Sequence, residues 1–254
     1  MLLAVDIGNT NIVFGLFEKE NLTNHWRIES DKSRTSDEYG ILFKKLIEIK
    51  EIETTQIKGA IISCVVPTLL DTILEALKTY FDVDPIIVGP GVKTGMPILY
   101  HNPKEVGADR IVNGVGAYEK FHKSVIAVDF GTAITFDCIS DKGEYLGGLI
   151  TTGLHVSAEA LYQKASKLPR VEIVKPPNVI GKTTVESIQS GLVYGYAGLV
   201  DGVVKKIKAE MRSDPRVIAT GGSAELIAKE SKAIESVDKF LTLKGLKLIY
   251  ERNQ

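Results

Sequence analysis

Three aspartates sit where phosphate chemistry could use them. Asp6 comes near the end of an apolar run and is followed by a tight polar turn, Gly8-Asn9-Thr10-Asn11. A carboxylate at a strand end, beside glycine and small hydroxyl or amide residues, gathers backbone N–H donors and an oxygen ligand, which suits a phosphate and its metal ion. The pattern returns 123 residues further on as Asp129-Phe-Gly-Thr132, again after an apolar run. The third aspartate lies in Gly107-Ala108-Asp109-Arg110, at the start of a predicted helix. It could take the proton of an alcohol attacking a phosphate, or simply stabilise the helix dipole. Arg110 suits an anionic ligand or an ordinary ion pair.

Those turns must be held by strands, and the chain supplies them twice. Leu2–Phe17 reads as a hairpin closed by the Gly8–Asn11 turn, with a third meander strand at 24–28. A helix over 36–48 follows, capped by Ser36 or Asp37 and presenting Ile41, Leu42, Leu46 and Ile49 on one face. Gly59–Val66 is a short continuous apolar run, the signature of a strand buried on both faces, and Pro67 sits at the first turn of the next helix. A strand at 84–88, a loop, and a helix from about 106 to 121 complete the first half.

The second half repeats this plan: a hairpin at 124–138, a strand at 145–150, a helix at 154–166, and a long helix over 186–211. Gly191, Gly195 and Gly198 in that long helix should permit close packing. A strand and turn at 217–223 and a short helix at 225–229 follow. The repeat predicts two α/β domains with mixed sheets, residues 1–118 and 119–254, whose copies face each other across a cleft.

Composition narrows the function. Lys and Arg number 31 against 32 Asp and Glu, a net charge of −1, so no basic excess points to nucleic acid as a partner. No apolar stretch reaches membrane-spanning length and the N-terminus has no secretory signal, so a cytoplasmic protein is expected. Cys64 and Cys138 lie in apolar runs and read as free buried thiols. The four histidines lack metal-ligand spacing, which argues against zinc. Two apparent P-loops fail: Pro176 stands where Gly181-Lys182-Thr183 would need its first glycine, and Val92 precedes Lys93-Thr94. Gly114-Val-Gly116 fails as a dinucleotide fingerprint, since Glu119 takes the third glycine position.

The paired Asp-x-Gly turns and Thr220-Gly221-Gly222 resemble the actin, sugar-kinase and heat-shock ATPase superfamily. Within it, Asp6-Ile7-Gly8-Asn9-Thr10-Asn11, Gly107-Ala108-Asp109-Arg110 and Asp129-Phe-Gly-Thr132-Ala133 look like the three signature motifs of type III pantothenate kinase. Tyr100-His-Asn-Pro103, Gly147-Gly148-Leu-Ile150, Leu168-Pro169 and Gly181-Lys-Thr-Thr184 resemble that family's pattern as well. The likeness covers nearly the whole chain.

The resemblance implies duplicated ribonuclease H-like (actin-like ATPase) domains with mixed five-stranded sheets facing across a nucleotide cleft. It implies ATP-dependent phosphorylation of pantothenate to 4′-phosphopantothenate, the first step towards coenzyme A. On that basis Asp6, Ile7, Gly8, Asn9, Thr10, Asn11 and Thr132 contact ATP, with Asp6 near Mg²⁺, and Asp109 is the general base. Tyr100, Gly107, Ala108, Asp109, Arg110 and Thr184 line the pantothenate pocket. Asp129 holds a monovalent cation, K⁺ or NH₄⁺, although by analogy with other kinases it could be a second Mg²⁺ ligand. The resemblance also implies a homodimer whose pocket is shared between subunits. On the residues alone, Thr184 could cap the following helix and Tyr100 could fill a core edge. Phosphorylation of another small alcohol is the nearest alternative. A nucleotide-dependent switch of the same superfamily is another, but the chain is short for the extra subdomains this requires.

Overall fold

The computed structural model describes residues 1–254, and it groups them into two compact units. The first unit holds Met1–Met96, His101–Gly116 and Thr242–Gln254, and the second holds Pro97–Tyr100 and Ala117–Leu241. The grouping therefore differs from a single cut after residue 118. The C-terminal residues pack with the first unit, and the short Pro97–Tyr100 segment joins the second through Tyr145, whose N–H donates to Pro97 O at 2.8 Å.

The first unit is built on a five-stranded sheet of β1 (Leu2–Ile7), β2 (Asn11–Glu18), β3 (Asn21–Glu29), β4 (Gly59–Cys64) and β5 (Ile86–Ile87), in the order β3-β2-β1-β4-β5. β1 pairs antiparallel with β2 and parallel with β4, making the sheet mixed. Its central strands are buried along nearly their whole length, as the continuous apolar runs require. One face carries Leu3, Val5, Ile7, Ala60 and Ile62 into a core closed by α1 (Ser36–Glu48) and α2 (Pro67–Phe81).

α1 differs from its sequence reading in cap and face. Thr35 is the N-cap and forms a capping box with Glu38, displacing Ser36 and Asp37. The buried stripe is Tyr39, Gly40, Phe43 and Ile47, while Ile41 and Ile49 are exposed. Aromatic burial decides this rotation: Phe43 packs at a tilt against Phe14 with centroids 4.4 Å apart, and Phe14 stacks on Trp26 at 5.1 Å. Gly40 assists, because a Cβ there would run into the Tyr80 ring of α2.

The C-terminal helix α7 (Leu241–Glu251) seals the opposite face of this sheet. Leu243 reaches the α-carbon of Gly15 in β2, and Tyr250 reaches Gly59 in β4. The same helix grips α3 (Ala108–Phe121): Gly245 lies against the Val112 backbone, and the Thr242 hydroxyl donates to Asn113 Oδ1 at 2.7 Å.

The second unit repeats the plan with β6 (Val125–Phe130), β7 (Ala133–Ile139), β8 (Tyr145–Thr152), β9 (Arg216–Gly221) and β10 (Ser236–Val237), in the order β10-β9-β6-β7-β8. β6 pairs antiparallel with β7 and parallel with β9, so each strand matches its counterpart in the first sheet. The duplicated actin-like architecture with mixed five-stranded sheets is thus present. α4 (Leu154–Lys164), the long α5 (Thr184–Met211) and the short α6 (Ala224–Ala228) accompany this sheet, with α5 supplying Leu192, Tyr196, Val200 and Val204 to its core.

The glycines of α5 do not serve close packing within the chain. Positions 191, 195, 198 and 202 have nothing within 4 Å of an added Cβ. No helix is long and apolar enough to cross a membrane.

Candidate active site

In the first unit, Asp6 occupies β1 one residue before the strand ends, paired with Val13 of β2 and Ser63 of β4. The turn beyond it is closed by Gly8 N–H donating to Asn11 O at 3.0 Å. From the end of β3, Ser30 clamps the same turn, its hydroxyl donating to Gly8 O at 2.6 Å and its N–H to Thr10 O at 3.0 Å. Asn9 and Thr10 are left exposed at the tip. Ile7 is fully buried, so its side chain is core and only its main chain faces the turn.

The segment bearing Asp109 converges on the same end of the sheet. Val65, just past β4, donates its N–H to Ile7 O at 3.0 Å, and a Cβ on Gly107 would lie 3.6 Å from Val65 Cγ1. Asn102 and Pro103 start a 3₁₀ turn over Pro103–Glu105 that delivers Gly107 to the N-terminus of α3. Asp109 Oδ1 lies 2.5 Å from where a Cβ on Gly107 would stand, so a side chain there would displace that carboxylate. The carboxylate is folded back over the chain and accepts the Arg110 N–H at 2.8 Å.

Burial pushes the Asp109 carboxyl above its ordinary value, and the Arg110 N–H and charge offset only part of that. Part of its surface remains open, as a proton acceptor needs. Arg110 itself is 7% exposed. A perturbed carboxyl at a helix N-terminus, at the sheet end that carries a phosphate-type turn, is the arrangement of a functional site.

In the second unit, Asp129 sits at the matching place in β6, paired with Thr135 and Thr220. Its turn is closed by Gly131 N–H to Ala133 O at 3.1 Å, and Gly153 N–H donates to Thr132 O at 2.9 Å. The Thr132 side chain is exposed. Gly221 ends β9 with φ +91°, and a Cβ on it would lie 2.5 Å from Asp129 Oδ1 and 2.7 Å from Phe130 N. The glycine at the end of β9 thus leaves room for the Asp129 carboxylate.

Tyr100 stands beside Gly147 and Tyr145, with the two tyrosine rings 6.5 Å apart. Tyr145 donates its hydroxyl to the fully buried Asp137 at 2.8 Å, and Thr135 donates to the other oxygen at 3.1 Å. Asp137 and Tyr145 escaped the sequence reading; the only hint was a carboxylate inside an apolar strand. Thr183, not Thr184, caps α5 by accepting the Glu186 N–H at 3.1 Å, which leaves Thr184 exposed and without that duty.

No group of three or more His, Cys, Asp or Glu side chains converges to cage a metal. A divalent ion here would take most of its ligands from water and substrate phosphates, which is how Mg²⁺ is commonly held, beside one or two carboxylates.

A sequence model described as type III pantothenate kinase matches residues 2–206. The chain belongs to the type III pantothenate kinase family. Its relatives in that family include a type III pantothenate kinase of Geotalea uraniireducens, 58% identical over 254 residues, covering 100% of this chain and 99% of the relative. Another from Myxococcus xanthus is 57% identical over 253 residues with the same coverage. Among solved structures, a ROK hexokinase from Thermus thermophilus aligns with a TM-score of 0.54 at 13% identity, covering 100% of this chain and 99% of that one. At that identity the hexokinase speaks to the fold alone. Family membership makes the chain a phosphotransferase and excludes the switch-protein reading.

Proposed function

We propose that this chain transfers the γ-phosphoryl group of ATP to the primary hydroxyl of pantothenate, with Asp109 as general base, to give 4′-phosphopantothenate for coenzyme A synthesis. The observation that carries the base assignment is the position of Asp109, folded over Gly107 at the end of the sheet where Asp6 also stands, with its proton affinity raised by burial. The hydroxyl oxygen forms a bond to the γ-phosphorus in line with the departing ADP oxygen, and its proton passes to the Asp109 carboxylate. A raised pKa makes that carboxylate a stronger base.

Asp6 is the carboxylate for Mg²⁺, and the Gly8–Asn11 turn meets the phosphates of ATP, with the Thr132 hydroxyl a further ATP ligand. The Asp6 carboxylate would hold Mg²⁺, which when bound would supply positive charge against the charge developing on the phosphates. Asp129, with the Gly221 backbone held against it, is the ligand for K⁺ or NH₄⁺. Tyr100, Gly107, Ala108, Arg110 and Thr184 line the pantothenate site, with Arg110 supplying positive charge. Coupled ADP release should depend on pantothenate and rise when K⁺ or NH₄⁺ replaces a large organic cation. Turnover of a sugar but not of pantothenate would overturn the substrate assignment.

The working form is a homodimer with a shared pocket. Supporting it are the apolar groups that the second unit leaves in water: Leu146, Leu149 and Ile150 on the edge strand β8, and Val156, Leu161 and Tyr162 on α4. Such exposed apolar residues are what a subunit interface would cover. The open glycine positions of α5 would accept side chains of a second copy. Sedimentation should show a species of twice the 27.7 kDa chain mass, and a chain that stays monomeric at micromolar concentration would refute this. Two free thiols, Cys64 and Cys138, fit a cytoplasmic protein.

A further inference from the structure

Ser63 is completely buried, and its Oγ has no hydrogen-bond partner. Leaving a hydroxyl unsatisfied in a core costs stability, so its partner must come from another state of the protein or the residue is a burden. Its surroundings in the sheet narrow the choice. Ser63 is the register partner of Asp6 across β4 and β1, and neighbouring strands stand about 4.8 Å apart with paired side chains on one face. Along β4 the neighbours on that face are Ile61 and Val65. Past Ile62 opposite Ile87, the same register puts Val88 on its other side. Asp6 is therefore the one polar side chain among these neighbours.

We infer that Ser63 is a positioning residue whose hydroxyl donates to one oxygen of the Asp6 carboxylate when Mg·ATP is bound, fixing the other oxygen towards the ion. A carboxylate offers about four acceptor sites and turns about its Cβ–Cγ bond, so one fixed donor sets its plane. Groups that hold a metal-facing carboxylate in this way commonly govern metal affinity by about 10- to 100-fold. The inference rests on the reading of Asp6 as the Mg·ATP carboxylate.

Ser63→Ala in the full-length chain tests it. Without nucleotide, the variant should melt about 2–4 °C higher than the parent, because an unsatisfied hydroxyl has been removed from the core. The Mg²⁺ concentration giving half-maximal ATP binding in calorimetry should rise about 10-fold or more. KM for pantothenate should not change. A purely structural hydroxyl predicts the reverse, a lower melting temperature with an unchanged Mg²⁺ midpoint, and that result overturns the proposal. Asp6→Asn, measured alongside, separates the two readings. If it shifts the Mg²⁺ midpoint and Ser63→Ala does not, the Ser63 role falls alone. If neither shifts it, the Asp6 assignment falls as well.

Discussion

Asp109→Asn should lose about 100- to 10,000-fold in kcat, the usual worth of a general base, while the chain stays folded. Asparagine keeps the shape and can still accept the Arg110 N–H, so what is removed is the capacity to take a proton. The pH dependence checks the same point. Because burial raises the Asp109 pKa, kcat/KM of the parent should fall with acidification at a pH above the range of an ordinary carboxylate.

Stability should move the other way. The folded chain binds this proton more tightly than the unfolded chain, so the protonated form's extra stability is complete below the unfolded pKa. It is lost as pH rises through the folded one. Above the unfolded pKa the parent therefore carries a cost of burying this ionisable carboxyl that the variant lacks. Thermal melts should show Asp109→Asn at least as stable as the parent at pH 7, and the difference should close in acid. Near-normal turnover in a folded variant would sink the base assignment.

Gly221→Ala should be the most damaging single methyl group near Asp129. Its φ of +91° lies in the region that side chains avoid, and the added Cβ would meet Asp129 Oδ1 and the Phe130 backbone. The strain and the overpacking together should cost about 2–5 kcal/mol. Relief requires either the end of β9 to leave β6 or the Asp129 carboxylate to turn away. Either movement should also weaken activation by K⁺ or NH₄⁺, so activity measured against cation concentration should shift to higher concentration in whatever fraction remains folded. A melting temperature within a degree of the parent, with unchanged cation dependence, would show that the contact is unimportant.

Much of the architecture was legible because its signals are local. Apolar runs of strand length, each ending in Asp-x-Gly, mark β1 and β6, and the repeat of the same order of elements implies the two matching sheets. Pro67 announced the start of α2 by its fixed φ. Less was legible where competing choices differ by packing. The face of α1 was misread because periodicity weighs Ile41 and Ile49 like any apolar residue, whereas the fold gives the interior to Tyr39 and Phe43 against Phe14. The cap of α5 fell to Thr183 instead of Thr184, a choice between adjacent threonines that depends on one residue's backbone angle.

By itself, then, the sequence determined the two carboxylate turns, the duplicated plan, the Gly107–Arg110 segment and, through them, the family. Each of these is written within a few consecutive residues whose chemistry does not depend on distant partners. Only the tertiary structure decided that Val65 brings Gly107 and Asp109 to the end of the sheet where Asp6 stands, that burial raises the Asp109 pKa, and that Ser63 is the neighbour of Asp6. It also assigned the C-terminal helix to the first unit, where it holds α3 through Gly245 and Thr242. Those relations join residues far apart in the chain, and they exist only once parallel pairing and close backbone approach have excluded water between them.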